Sequence, residues 1–275
     1  MFQKRIPATV TILTYNSAAH VRRCLESVQA FEEILVLDGG STDETLDIAR
    51  EFGTRILAQS DVPGPIHDFT AVRIRSFEAA SHDWIFWIDS DEYADETLIQ
   101  AISEAVSLNQ KNIAYRASKI PVLSGAIIRH AYFLPDFTLR LVRKSTAEWA
   151  RGKKVHEHLK THENVKGENL AGAVYTPWGS LDEQYKKDRY YIHLAFSKPV
   201  LKRPAFKVMA RSVRKNLMYA GWIFCVALYL AVRYGRAGGA LPFKHHLRFA
   251  RYHLLVVRER LRQWTLGTAY EPPQA

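Results

Sequence analysis

The sequence predicts an α/β fold, a mostly parallel Rossmann-like sheet with helices on both faces, followed by a basic, amphipathic helical extension. Three observations lead to it. Short apolar, β-branched runs alternate with helical periods over the first 110 residues, the pattern of a parallel sheet. Acidic residues stand where these runs end, at Asp38 and Asp89, and open α/β sheets bind their ligands beyond the carboxyl ends of strands. The charge is also segregated: residues 1–110 hold 8 Lys and Arg against 18 Asp and Glu, whereas residues 111–275 hold 30 against 10.

Ala8–Thr14 (ATVTILT) is short, apolar and β-branched, and reads as a buried strand. Ala18–Phe31 places Val21, Leu25, Val28 and Phe31 at helical spacing. Ile34–Leu37 reads as a second buried strand that runs into Asp38 and is broken by Gly39-Gly40. Ser41 and Glu44 have the spacing of a capping box, which opens a helix over Thr45–Phe52 that stops at Gly53. Arg55–Ala58 is a third strand and Asp68–Ala80 a helix. Trp84–Ile88 (WIFWI) is a fourth strand ending on Asp89, and Asp95–Val106 is an amphipathic helix. From Ala114 to about Val142 the pattern changes to antiparallel strands, 115–130 and Phe137–Arg143. Arg143–Thr161 is polar and holds His156-Glu157-His158, and residues 185–262 read as helices rich in Lys, Arg, Tyr and Phe.

A chain of 275 residues suffices for one large α/β domain with an appended piece. Its 47% hydrophobic and 24% charged residues exclude global disorder. Cys24 and Cys225 form neither a disulfide framework nor a zinc-ribbon spacing, which points to a reducing compartment. No long apolar run follows Met1–Pro7, so these residues do not read as a secretory signal.

Asp89-Ser90-Asp91-Glu92 follows a buried strand and precedes a helix. Two carboxylates at i and i+2 of such a turn can face one cavity. A hard cation such as Mg²⁺ or Mn²⁺ takes one or two carboxylates together with substrate phosphates. Taken alone, this short acidic turn is equally an ordinary helix start. Asp38-Gly39-Gly40-Ser41-Thr42-Asp43 stands in the same way after the second strand. Its glycines permit close backbone approach to a ligand, the next helix N-terminus favours an anion, and a carboxylate at a strand end accepts from ribose hydroxyls or a base N–H.

The segment from Val10 to about Leu159 resembles bacterial family 2 glycosyltransferases, the inverting type with a GT-A fold. It is most similar to the branch of the lipopolysaccharide-core β-glucosyltransferases. Four segments carry the resemblance in the family's order: Thr11–Asn16, Leu37–Thr45, Asp83–Glu92 and Val155–His158. The resemblance implies that Thr14, Asn16 and Asp38 hold the nucleotide of a UDP-sugar and that Asp43 supports their loop. It implies that Asp89 faces the ribose or the sugar, that Asp91 binds Mg²⁺ or Mn²⁺, and that Glu157 is the general base. His156 or His158 would complete the metal shell or orient the pyrophosphate, and Arg73 would help to stabilise the leaving diphosphate. The chain departs from the family pattern at Ile74, where Asn usually follows the basic residue, and at Ser17, where an acidic residue is usual. The implied organisation is a catalytic domain over 1–184, with a nucleotide-sugar half (1–110) and an acceptor half (111–184), followed by a basic extension over 185–275.

His156, Glu157 and His158 do not meet the H-E-x-x-H spacing of a zinc site. A nucleotidyltransferase would carry a Gly- and Arg-rich phosphate loop after the first strand, and Thr14-Tyr15-Asn16-Ser17 is not one. A non-enzymatic RNA-binding protein would suit the basic half and leave the acidic motifs unexplained, so no nucleic-acid partner is expected. Leu217–Val232 lacks charge for sixteen residues, short of the roughly 20 that a spanning helix needs. It is compatible with a buried helix, an interfacial helix or a marginal span. In Phe243–Trp264, cations alternate with aromatic and aliphatic residues, which suits a helix lying on anionic lipid. The expected setting is therefore peripheral, at the cytoplasmic face of the cell membrane, with a glycan or lipid-linked acceptor.

Overall fold

The structure, a computed structural model, describes residues 5–66, 68–150, 159–196, 206–235 and 237–266. The chain divides into two compact units, Met1–Ile120 with Pro135–Pro177, and Pro121–Leu134 with Trp178–Ala275.

The first unit is built on strands β1 (Ile6–Thr14), β2 (Phe31–Asp38), β3 (Arg55–Ala58), β4 (Trp84–Asp89), β5 (Tyr93–Ala94), β6 (Ile113–Leu123), β8 (Phe137–Arg143) and β11 (Lys166–Trp178), in the order β3-β2-β1-β4-β8-β6-β11-β5. The pairs β1–β2, β2–β3 and β1–β4 are parallel, while β4–β8, β8–β6 and β11–β5 are antiparallel. The chain thus winds outward through β1, β2 and β3 and returns to the other side of β1 with β4. This places a topological switch point between β1 and β4, where such sheets hold ligands. Strands β9 (Ala147–Trp149) and β10 (Leu159–Thr161) form a separate antiparallel pair.

The central strands are buried on both faces, as parallel strands between helix layers must be. On one face Val10, Ile12, Val36, Phe86 and Ile88 pack with Val21 and Leu25 of α1 (Ala18–Ser27), Ile48 of α2 (Thr45–Glu51), and Leu98 and Ile102 of α4 (Glu96–Leu108). On the other face Leu13, Leu35 and Leu37 meet Val72 of α3 (Phe69–Ala79), and Ile85 and Trp87 meet Phe77 and Trp149. The alternation along each strand is the period of two that a pleated strand imposes.

Two expectations need correction. The helix expected over Ala18–Phe31 ends at Ser27, and Phe31 opens β2 opposite Ile6. Val28 and Phe31 are buried at helical spacing, but they belong to the turn and the strand, and Phe31 stacks on Phe86 at 5.7 Å. Strand β11 was not expected. KGENLAGAVYTPW lacks apolar alternation, and only Ala173 and Val174 within it are buried, so its pairing makes it a strand.

The second unit holds the hairpin of Val122–Leu123 with β7 (Ala126–Ile127), and helices α5 (Leu181–Phe196), α6 (Phe206–Tyr234) and α7 (Phe243–Leu266). Arg248 on α7 donates to both Asp188 oxygens and, at 2.6 Å, to Gln184 of α5, so the α5–α7 contact is a satisfied bidentate pair.

Gly172 is the tightest backbone approach in the first unit. Its φ is +83°, and an added Cβ would lie 2.2 Å from the Leu98 nitrogen and 2.5 Å from the Asp95 carboxylate that caps α4. Both the left-handed conformation and the clash with backbone penalise a side chain. Gly172→Ala should lower unfolding stability by roughly 2–4 kcal/mol, measured by urea denaturation. A change within experimental error would refute this account of the packing.

Candidate active site

The carboxyl ends of β1, β2 and β4 and the loops that leave them carry Thr14, Asn16, Asp38, Asp43, Asp89 and Asp91, and Arg73 reaches Asp89 from α3. Asp38 is 5% exposed. One of its oxygens accepts from the Thr14 hydroxyl at 2.7 Å and the Ser41 hydroxyl at 2.6 Å. The other accepts from the backbone N–H groups of Gly40 and Ser41, each at 2.7 Å. Four donors occupy this carboxylate, so it ties the end of β1 to the loop after β2.

Asn16 adopts a left-handed conformation, φ 48°, which asparagine tolerates better than most residues. Its N–H donates to the Ser41 hydroxyl at 2.8 Å, and its side-chain oxygen accepts from the Thr42 N–H at 2.8 Å. Asp43 accepts from the Ala18 N–H at 3.1 Å and from the N–H and hydroxyl of Thr45. The Thr45 hydroxyl, helped by these backbone donors, holds the Asp43 carboxyl below its ordinary range.

The capping box expected from Ser41 and Glu44 does not form. Glu44 occupies the N-cap of α2 without a side-chain bond, and the Ser41 hydroxyl goes to Asp38 instead. The glycine pair is also needed by the fold itself. A Cβ on Gly39 would lie 2.5 Å from the Gly64 carbonyl oxygen and 2.9 Å from the Tyr15 ring, so the loop that carries Gly64 packs directly on this turn. Gly39 accepts from the Gly64 N–H at 2.6 Å.

Asp89 closes β4 and accepts a hydrogen bond from Arg73, which is 1% exposed and lies over the Trp87 ring at 4.6 Å. Glu92 is the residue whose importance the sequence concealed. It is 1% exposed, and its carboxylate meets Arg140 at 2.8 and 2.9 Å, Lys119 at 3.1 Å and the Thr176 hydroxyl at 3.0 Å. It also accepts from the Asp89 N–H at 3.2 Å. Burial by itself would raise the Glu92 pKa, but Arg140 and then Lys119 outweigh it and bring the carboxyl down to about 2. The ionised Glu92 therefore pins the turn that displays Asp89 and Asp91.

Asp91 differs from its neighbours. It keeps solvent-facing surface, and no cation among the described residues pairs with it. Desolvation by the protein packed around it, followed by the negative charges of Asp89 and Glu92, pushes its carboxyl above the ordinary value. Among the described residues no three His, Cys, Asp or Glu side chains converge as a metal cage. One carboxylate with spare negative charge still suits Mg²⁺ or Mn²⁺, which commonly bind through one or two carboxylates plus substrate phosphates. Ser17 places its hydroxyl 3.1 Å from that of Ser90 and its N–H on the Thr45 hydroxyl. Glu157, His156 and His158 lie outside the described residues.

Glu92→Ala leaves Arg140 and Lys119 facing an emptied, desolvated position and should cost about 3–5 kcal/mol of stability, measured by denaturant unfolding. Glu92→Gln separates charge from shape. The folded carboxyl is depressed, so its stabilisation is fully present above the unfolded value of about 4.3 and is lost as pH falls toward about 2. The stability gap between wild type and Glu92→Gln should thus be constant near neutral pH and shrink through that acid window. A gap independent of pH would contradict the ion-pair origin.

Comparison with known proteins agrees with this geometry. Residues 9–146 match glycosyl transferase family 2. The lipopolysaccharide core biosynthesis glycosyltransferase LpsC of Rhizobium meliloti is 26% identical over 204 residues, 74% of this chain and 76% of that protein. The SPbeta prophage-derived glycosyltransferase SunS of Bacillus subtilis is 29% identical over 173 residues, 61% of this chain but 37% of that protein. Among solved structures, S. aureus TarS in complex with UDP aligns with 96% of this chain and 93% of its own at 15% identity, with a TM-score of 0.46. The expected GT-A class accords with the family match and with a sheet that is parallel through β3-β2-β1-β4 and antiparallel beyond it. The chain belongs to glycosyl transferase family 2 and is a glycosyltransferase.

Proposed function

We propose that the protein moves a hexose from a UDP-sugar to a glycan or lipid-linked acceptor in cell-envelope polysaccharide or lipopolysaccharide synthesis, with inversion at the anomeric carbon. The observation that carries this reading is the distribution of charge at the switch point. Asp38 is saturated by donors, Asp89 is held by Arg73, Glu92 is neutralised by Arg140 and Lys119, and Asp91, of these four, has neither an ion pair nor a full set of donors among the described residues. LpsC, whose name places it in lipopolysaccharide core synthesis, supports the choice of acceptor class.

In this reading Thr14, Asn16 and Asp38 shape the nucleotide pocket and Asp43 braces it. Arg73, expected to stabilise the leaving diphosphate, is 1% exposed and engaged with Asp89, and in this reading it orients that carboxylate toward the ribose or the sugar. Asp91, with His158 or His156, holds Mg²⁺ or Mn²⁺, which when bound supplies positive charge to the diphosphate. Glu157 takes the proton from the acceptor hydroxyl as that oxygen bonds to the anomeric carbon and the bond to UDP breaks. A single displacement needs one base and no covalent intermediate. By role, residues 1–184 form the catalytic domain, with 1–110 serving the donor and 111–184 the acceptor. Residues 185–275 form a basic extension that brings the enzyme to the cytoplasmic face of an anionic membrane.

UDP titrated into the protein by calorimetry should bind with Mn²⁺ and much more weakly with EDTA, and Asp91→Ala should abolish the difference. Metal-independent UDP binding in both proteins would remove Asp91 from the metal role, and absence of UDP binding by the folded protein would overturn the donor. Glu157→Gln should retain UDP binding and lower kcat by roughly 10²–10⁴. Unchanged turnover in that variant would assign the base elsewhere.

A further inference from the structure

Helix α6 carries Lys207, Arg211, Arg214, Lys215 and Arg233 and no acidic residue. By length and composition it is apolar enough to cross a membrane, and most of its apolar stretch is not buried within the protein. Met209, Ala220, Ile223, Ala227 and Leu230 form its packed side. Its outer side leaves Met218 67%, Trp222 49%, Tyr229 60% and Val232 81% exposed. Arg211 and Lys215 precede these residues at helical steps of three and four, so a single stripe runs from cations into an apolar face. Where the two meet, a groove of about 560 Å³ is lined by Arg211, Arg214, Lys215, Met218, Tyr219 and Trp222.

Composition alone would admit a bilayer crossing, but the packing of α6 does not. Along its first two thirds α6 is paired antiparallel with α7. Phe206 sits by Trp264 at 5.9 Å, Asn216 hydrogen-bonds His253 at 2.8 Å, Tyr219 stacks on the same His253 at 5.4 Å, and Phe224 meets Phe243 at 5.9 Å. A crossing α6 would draw in α7, whose exposed Lys244, Arg251 and Arg258 have no place in hydrocarbon. On α7 those three cations alternate at helical steps with Leu247, Leu254 and Leu261, which are 38%, 49% and 40% exposed. Cations interleaved with exposed leucines belong at the level of lipid phosphates.

We propose that the α6–α7 pair lies in the plane of an anionic membrane surface, with the Arg211–Arg214–Lys215 groove binding the phosphate of a phospholipid. Met218, Trp222, Tyr229 and Val232 then enter the acyl boundary. Charge complementarity favours lipid as the occupant, since a second copy would offer no carboxylate on α6 to meet the three cations. This inference deepens the membrane setting proposed above and rests on it.

The test uses the full chain with vesicles of phosphatidylcholine alone and of phosphatidylcholine mixed with phosphatidylglycerol. An environment-sensitive dye is placed on Cys225, which is exposed while Cys24 is buried. Co-sedimentation should require the anionic lipid and weaken with salt, and the dye should shift to the blue. The triple variant Arg211→Ala/Arg214→Ala/Lys215→Ala should lose roughly 100-fold in vesicle affinity. Lys111→Ala/Lys160→Ala/Lys166→Ala, with the same change in charge on exposed lysines of the first unit, should bind as wild type. Equal losses in the two triple variants, binding without a dye shift, or a dimer that shields Cys225 and ignores vesicles would each overturn the proposal. UDP calorimetry on the same samples keeps the readings apart: absent vesicle binding with intact UDP binding overturns this inference and leaves the donor assignment standing.

Discussion

A full negative charge sits on Glu92 where almost no solvent reaches it, and the geometry of the site follows from how that charge is met. Burying a lone carboxylate is strongly unfavourable, so the fold must bring cations to it. Arg140 comes from β8, Lys119 from β6 and the Thr176 hydroxyl from β11, all strands of the antiparallel half of the sheet. Glu92 follows the last strand of the parallel half. The network therefore ties the two halves together just behind the turn that presents Asp89 and Asp91. Arg140 also lies over the Trp87 ring at 3.9 Å, so the cation is fixed by an aromatic face as well as by the carboxylate.

Neutralising Glu92 leaves a division of labour among four carboxylates at neighbouring strand ends. Asp38 is spent on its own loop and Asp89 on Arg73. Asp91 is desolvated by the protein around it and crowded by Asp89 and Glu92, which outweigh Lys119, and it forms no ion pair among the described residues. Electrostatic strain of this kind is relieved by protonation or by a bound cation, and a glycosyl transfer that expels a diphosphate has use for the second. The rigid network behind the turn and the unsatisfied group at its tip are two consequences of one arrangement of charge.

Much of this was legible before any coordinates. The buried runs at Ala8–Thr14, Ile34–Leu37 and Trp84–Ile88 appear as β1, β2 and β4, because strands covered on both faces must be apolar throughout. The strand-end position of Asp38 and Asp89 followed from those runs and from the glycine pair. Less legible was β11, whose polar sequence becomes a strand only through its neighbours. Ser41 also misled, because its hydroxyl has two acceptors within reach and the buried Asp38 wins over the start of α2. Val28 and Phe31 matched a helical period by coincidence of burial, with turn and strand supplying what a helix face would have supplied.

The alternation of strands and helices, the order of the motifs and the segregation of basic charge into the C-terminal part can all be read from residue order. These are local or compositional properties, set by residue spacing and solvation. Tertiary packing settles which carboxylates are neutralised, that Lys119, Arg140 and Thr176 converge on Glu92, and that α6 is paired with α7. Such facts depend on residues about 27 to 84 positions apart in sequence meeting in a low-dielectric interior, where one cation more or less reverses the energetic sign of a buried charge.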